Sequence, residues 1–155
     1  MLKLDVPGFK KLRLEHIVLD FNGTISFDGK LLPEVADRLV ELKEKFAVHV
    51  VTSDTFGTVE EQMKGVAQTK ILETANHREE KQSFISQLGA DSVVAFGNGR
   101  NDAMMLKVAS VGIALCQGEG ASAEAIQAAD VVCKDIGDGL DLLRFPKRLL
   151  ATLRA

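Results

Sequence analysis

The sequence predicts an α/β protein of three layers, with a doubly wound, mostly parallel sheet between two layers of helices. Two features point there. Short apolar runs rich in β-branched residues recur at His16–Leu19, Ala47–Thr52, Thr69–Leu72, Ser92–Phe96, Val111–Leu115 and Asp130–Cys133. Continuous apolarity of this kind, without alternation, marks strands covered on both faces. Stretches of helical period lie between the runs, and strand followed by helix, repeated, is the pattern of a parallel sheet, whose neighbouring strands are reached only through crossovers.

Taken in order, the N-terminal MLKLDVPGFKK lacks the apolar core of a signal peptide, and Leu12–Leu14 supplies a short strand or a lead-in. His16–Leu19 is the first full strand and ends on Asp20. Between Thr24 and Ala47 there is room for a small hairpin, ISFDGK, turning at Gly29, and for one helix over Pro33–Lys45. Proline suits a first helical turn, and Val35, Leu39 and Leu42 form the apolar stripe. A helix and the strand Thr69–Leu72 fill the span from Ser53 to Lys81. Arg78–Leu88 carries Phe84, Ile85 and Leu88 and stops at Gly89. Helices over Asn101–Val108, Ala121–Ala128 and Gly139–Leu143, then an amphipathic piece from Pro146 to Leu153, complete the set. Without repeat or linker, residues 1–155 read as one domain, and neither insertion is long enough for a cap domain.

Composition narrows the function classes. A net charge of −3 gives no electrostatic reason to expect nucleic acid or an anionic membrane as partner. No apolar run approaches the ~20 residues that span a bilayer. Cys116 and Cys133 lie in or beside apolar runs without metal-ligand spacing, so they read as a reduced, buried pair, and the chain as soluble and cytoplasmic.

In a doubly wound sheet, ligands gather beyond the carboxyl ends of the strands. Those ends are Asp20-Phe21-Asn22-Gly23-Thr24, Thr52-Ser53-Asp54 and Gly97-Asn98-Gly99-Arg100-Asn101-Asp102. A carboxylate held by the amides of a following turn stays ionised and aimed outward, so Asp20 is placed to attack phosphorus or bind a hard metal; a turn or cap aspartate is the alternative. Gly97–Asp102 offers oxygen ligands beside backbone donors, suitable for magnesium and phosphate, or else a glycine turn with a helix cap. It is not a dinucleotide fingerprint, because Asp102 stands where the last glycine of that motif belongs. Thr52 and Ser53 offer a hydroxyl and an N–H to a phosphate oxygen. Lys81 is a cation for a phosphorylated aspartate, or one more charge on the solvated face of Arg78-Glu79-Glu80-Lys81. Arg100 faces either the proposed pocket or solvent. His16, His49 and His77 share no metal-like spacing, and His49, inside an apolar strand, reads as a hydrogen-bonded core histidine.

Together these stretches resemble the haloacid dehalogenase-like superfamily: DFNGT its nucleophile loop, VVTSD its apolar run ending in threonine, Lys81 its motif lysine and GNGRND its metal loop. Within it the chain looks most like the phosphorylation domain of P-type ATPases and their small soluble relatives, on TSD, GNGRNDAMML and VGIALCQGEGASAEAIQAADVV. The resemblance implies a capless, Rossmann-like fold and a phosphohydrolase. Asp20 would take the phosphoryl group as an aspartyl-phosphate, Thr52 and Lys81 would assist, Gly23, Thr24, Ser53 and Arg100 would bind phosphate, and Asp20, Asn22, Asn98 and Asp102 would bind Mg²⁺. Asn22, whose side chain occupies the family's general acid/base position, would contribute its backbone carbonyl to the metal.

Two departures qualify the activity so implied. Asn22 cannot exchange a proton, a role that contributes ~10²–10⁴-fold, so slow hydrolysis is expected. Asn98 replaces a metal-binding aspartate and brings less charge, so weak metal binding is expected. The alternative is a weakly catalytic or non-catalytic phosphate-binding regulator acting through a protein partner. The open site leaves room for a small or a large phosphorylated substrate and for a homo-oligomer, and the missing nucleotide-binding domain argues against ATP hydrolysis.

Overall fold

Ile17, Val18 and Leu19 are each fully shielded from solvent, with Ile17 and Leu19 facing one apolar cluster and Val18 the other, which places their strand at the centre of the molecule. The computed structural model describes residues 1–55 and 57–155. Its strands and helices in chain order are β1 (Leu2–Asp5), β2 (Lys11–Leu14), β3 (His16–Asp20), β4 (Ser26–Phe27), β5 (Lys30–Leu31), α1 (Pro33–Leu42), β6 (Ala47–Thr52), α2 (Val59–Gln62), β7 (Gln68–Ile71), α3 (His77–Leu88), β8 (Val93–Gly97), α4 (Ala103–Val108), β9 (Val111–Leu115), α5 (Ala123–Ala128), β10 (Val131–Cys133), α6 (Ile136–Arg144) and α7 (Pro146–Leu153).

Six strands form one parallel sheet in the order β10-β9-β8-β3-β6-β7. The chain runs outward from β3 through β6 to β7, returns to the other side of β3, and runs outward again through β8, β9 and β10. That reversal opens a crevice at the carboxyl end of β3, between β6 and β8. On one face Leu39 of α1, Ile136 and Leu140 of α6 and Leu149 of α7 close the core; on the other, Ile85 of α3, Met105 and Leu106 of α4 and Ala125 of α5 do so. This is the three-layer, doubly wound arrangement expected. Among the described residues no helix is long and apolar enough to cross a membrane.

Several boundaries differ, each for a local reason. β1 and β2 pair antiparallel, Leu2 with Leu14 and Asp5 with Lys11, as a ribbon apart from the main sheet. α1 ends at Leu42 instead of Lys45, because the N–H groups of Glu44 and Lys45 bond back only three residues, to Glu41 and Leu42, tightening the last turn. The helix expected from Asn101 begins as a 3-10 turn over Arg100–Asp102. α5 starts at Ala123 because the Ser122 hydroxyl accepts from the Ala125 N–H, and α6 starts earlier than read because the Asp135 carboxylate accepts from the Asp138 N–H. The hairpin β4–β5 turns through Asp28 and Gly29, both at positive φ, as its two-residue loop requires. Gln62 pins it, accepting from the Leu31 N–H and donating to the Gly29 carbonyl.

The cysteines correct the reading of a buried pair: both are free, but Cys116 is exposed. Register pairs Cys133 with Leu115, so Cys116, one residue on, points to the opposite face of the sheet. His49 is the buried, hydrogen-bonded histidine expected, and its partner is His16 on the adjacent strand, with Nδ1 of His16 3.2 Å from Nε2 of His49. Burial, followed by the neighbouring His16, holds the His49 pKa below its ordinary value.

Candidate active site

Asp20 closes β3 at the crevice, with only 7% of its surface exposed. α3 lays Lys81 beneath it: Nζ donates to Asp20 Oδ1 at 2.6 Å and to Asp102 Oδ1 at 2.7 Å. Lys81 is 1% exposed, so the solvated-face alternative is overturned; Glu79, on the same short charged run, takes the solvent side. Burial alone would lower the lysine pKa, but the charges of Asp20 and Asp102 outweigh it and hold the ammonium above its ordinary range. Burial raises the Asp20 pKa to about 6, with the like charge of Asp102 adding to it and Lys81 and Thr24 opposing.

Each end of this triad is fixed by its loop. Asp102, fully buried, uses Oδ2 to accept the N–H groups of Asn98 at 3.0 Å and Gly99 at 2.8 Å. The glycine at position 97 makes this possible, since a Cβ there would lie 2.6 Å from that of Asp102. On the other side the Thr24 hydroxyl donates to Asp20 Oδ2 at 3.1 Å and approaches Asn98 Oδ1 at 3.3 Å. Gly23 holds φ at +75°, and a Cβ there would come within 2.4 Å of Asn98 Nδ2. Asp54, beyond β6, spends its carboxylate on the N–H groups of Thr58 and Val59 at the start of α2.

Six residues singled out from sequence, Asp20, Asn22, Thr52, Ser53, Lys81 and Asn98, share the wall of one cavity of about 170 Å³. Gly23 and Thr24 sit behind that wall as its support. Two assignments are corrected. Arg100 turns away from the cavity, 76% exposed, and its Nε donates to Glu124 Oε1 at 2.6 Å, because that carboxylate on α5 also holds Arg78 at 2.9 Å and draws both guanidinium groups to it. Asp102 does not line the cavity: it is fully buried behind it, its oxygens accepting from Lys81 and two backbone amides.

The cavity wall also holds Gly99 and Asn101 of the strand-end loop singled out from sequence, whereas sequence reading missed Leu72 and His77 in the wall and Gln117 against the loop of Gly23 and Thr24. His77 had a signal: it precedes Lys81 by four residues on α3, and i, i+4 positions share a helix face. Gln117 had none, since its role depends on three distant segments. Its Nε2 donates to the carbonyls of Gly23 at 3.1 Å and Thr24 at 2.6 Å, while its Oε1 accepts from the Ile136 N–H at 3.0 Å.

The oxygen donors available for a hard cation are the Asp20 carboxylate, Asn22 and the Asn98 amide, whose Oδ1 is oriented by the donation of Nδ2 to the Gly120 carbonyl. Among the described residues no three acidic, histidine or cysteine side chains are grouped to hold an ion. Magnesium is commonly held by one or two carboxylates together with waters and phosphate oxygens, so this donor set fits a largely hydrated ion.

The family model for haloacid dehalogenase-like hydrolases matches residues 85–139. An uncharacterized protein of Methanocaldococcus jannaschii, MJ0073, is 48% identical over 62 residues, which are 40% of this chain and 67% of that protein. Among solved structures, 3-deoxy-D-manno-octulosonate 8-phosphate phosphatase from Moraxella catarrhalis, in complex with magnesium, phosphate and the sugar acid, superposes with a TM-score of 0.70 at 14% identity, covering 91% of this chain and 94% of that one. The catalytic domain of the CPx-ATPase CopB-B superposes at 0.61 with 27% identity, over 74% of this chain and 46% of that one. With the loop of Asp20, the buried lysine and the loop of Asp102 on one α/β scaffold, the chain has the fold of the haloacid dehalogenase-like hydrolases and matches their family model over residues 85–139.

Proposed function

We propose that this hydrolase is a phosphatase working through a phosphorylated Asp20, with Mg²⁺ as its ion and with slow turnover. The observation that carries the reading is the triad at the switch point: a carboxylate at a strand end, backed by a fully buried lysine that a second carboxylate holds charged. Asp20 Oδ attacks phosphorus in line, and Lys81 and Thr52 offset the charge on the phosphoryl oxygens. A Mg²⁺ held by Asp20, the backbone carbonyl of Asn22 and Asn98 would supply further positive charge against those oxygens. The cavity of about 170 Å³ suits a phosphoryl group, so the rest of the substrate lies outside it, and a small or a large phosphorylated molecule is accommodated. The free thiols of Cys116 and Cys133 favour a cytoplasmic setting.

The test is hydrolysis of an aryl phosphate with Mg²⁺ by the natural protein, by Asp20→Asn and by Asn22→Asp. Slow activity that needs both Asp20 and the metal is expected, with a gain of ~10²–10⁴-fold in Asn22→Asp as the acid is restored. Equal background in the natural protein and Asp20→Asn would favour the second reading, a phosphate-binding regulator acting on a protein partner, for which the neutral Asn22 and Asn98 are the motive. Half-saturation by Mg²⁺ at low micromolar would contradict the weak site proposed.

A further inference from the structure

We infer that His77 is a proton donor and acceptor of this site, supplying part of the acid/base function that Asn22 lacks and so leaving turnover slow. The inference rests on the phosphatase reading above. Among the described residues the cavity wall holds three titratable side chains, Asp20, Lys81 and His77. Asp20 is the nucleophile. Lys81 is locked between two carboxylates at 2.6 and 2.7 Å and keeps its proton. Imidazole, by contrast, both gives and takes a proton near neutrality.

Position supports the role. α3 delivers His77 and Lys81 on one helix face, with His77 one turn nearer the opening, a rise of about 6 Å. His77 is half-buried, and it borders both the catalytic cavity and an adjoining one of about 420 Å³ lined also by Arg78, Glu79, Arg100 and Asn101. A phosphoester seated with its phosphorus over Asp20 sends its leaving group into that larger space, so the breaking P–O bond falls at the boundary His77 forms. Its ring is also uncommitted. Among the described residues no hydrogen bond engages it, whereas His16 and His49 engage each other.

The two half-reactions balance through this one residue. In the first, the bond from Asp20 Oδ to phosphorus forms, the bond from phosphorus to the leaving oxygen breaks, and that oxygen takes the proton of the His77 imidazolium. In the second, a water oxygen bonds to phosphorus, the aspartyl P–O bond breaks to restore the carboxylate, and the water proton passes to the neutral imidazole. Phosphate leaves and His77 is again protonated.

The test compares His77→Gln and His77→Ala with the natural protein on phenyl phosphate, whose leaving group needs a proton, and on 4-nitrophenyl phosphate, whose leaving group does not. Release of phosphate from phenyl phosphate should fall about 10²-fold in both variants. The rapid formation of nitrophenol from 4-nitrophenyl phosphate should change less than threefold. Free imidazole should restore His77→Ala, and adding Asn22→Asp to His77→Gln should restore turnover, which together separate lost chemistry from lost folding. Variants as active as the natural protein on phenyl phosphate, or a loss on both substrates that neither imidazole nor Asn22→Asp repairs, would overturn the assignment while leaving the phosphatase reading intact. If the natural protein matches Asp20→Asn at background, the phosphatase reading and the role of His77 fall together.

Discussion

Replacing Lys81 by Met tests the buried triad directly. The substitution keeps most of the side-chain volume and removes the charge. Lys81 bonds Asp20 and Asp102 at 2.6 and 2.7 Å, with side-chain exposures of 1% for the lysine and 9% and 0% for the two carboxylates. Without the ammonium, two nearby carboxylates are left in a dry site, and breaking a buried ion pair from one side costs about 3–5 kcal/mol. Single domains have about 5–15 kcal/mol in all, so a large share of the stability is at stake. At roughly 2–4 °C per kcal/mol, the Tm of Lys81→Met should fall by about 6–20 °C at pH 7.5. The deficit should shrink toward pH 5, where Asp20, its pKa raised by burial, takes up its proton, and at least half should be recovered in Lys81→Met/Asp102→Asn. Thermal unfolding followed by circular dichroism at both pH values reads these effects. A loss below about 1 kcal/mol, or one that is the same at pH 5 and 7.5, would refute the reasoning.

Two further outcomes follow from the same geometry. Burial and Asp102 raise the Asp20 pKa from its ordinary 3.8 to about 6, so the folded state binds this proton more tightly than the unfolded chain; the resulting stability is complete below pH 3.8 and is lost as pH rises through 6. Asp20→Asn should therefore be more stable than the natural protein at pH 7.5, by on the order of 1–3 kcal/mol, and the advantage should vanish near pH 4, as metal-free thermal melts across that range would report. Gln117→Met, which removes both donations to the Gly23 and Thr24 carbonyls, should raise amide hydrogen exchange at residues 23–26 about tenfold while leaving β3 unchanged; equal exchange would show that the clamp is not what holds the loop.

The strand ends were the most legible part of the sequence. Each is an apolar run stopped by a polar or glycine residue, and because all six strands are parallel, every such stop falls on the same edge of the sheet. Asp20, Thr52 and Gly97 are therefore grouped by the sequence pattern itself. Lys81 was harder to read, since helical period alone leaves it on either face of a charged helix, and only the motif singled it out. Arg100 and Asp102 were misjudged for the same reason: a loop sequence names polar groups but not their partners. Glu124 takes Arg100, whereas Lys81 and two amides take Asp102. Gln117 was invisible because its three partners lie 19 to 94 residues away. The pairing of His16 with His49 likewise depends on the parallel register of β3 and β6. Helix ends that depend on caps at Ser122 and Asp135 were missed by two or three residues, the scale at which a single side-chain hydrogen bond decides.

The central claim is that Asp20 accepts the phosphoryl group. Acid-quenching the protein during turnover of phenyl phosphate with Mg²⁺, then mapping by mass spectrometry, tests it most directly. A phosphoryl adduct should be found on the peptide bearing Asp20, should accumulate because Asn22 leaves its hydrolysis slow, and should be absent from Asp20→Asn. Phosphate release without an adduct on Asp20, or undiminished release by Asp20→Asn, would contradict the account.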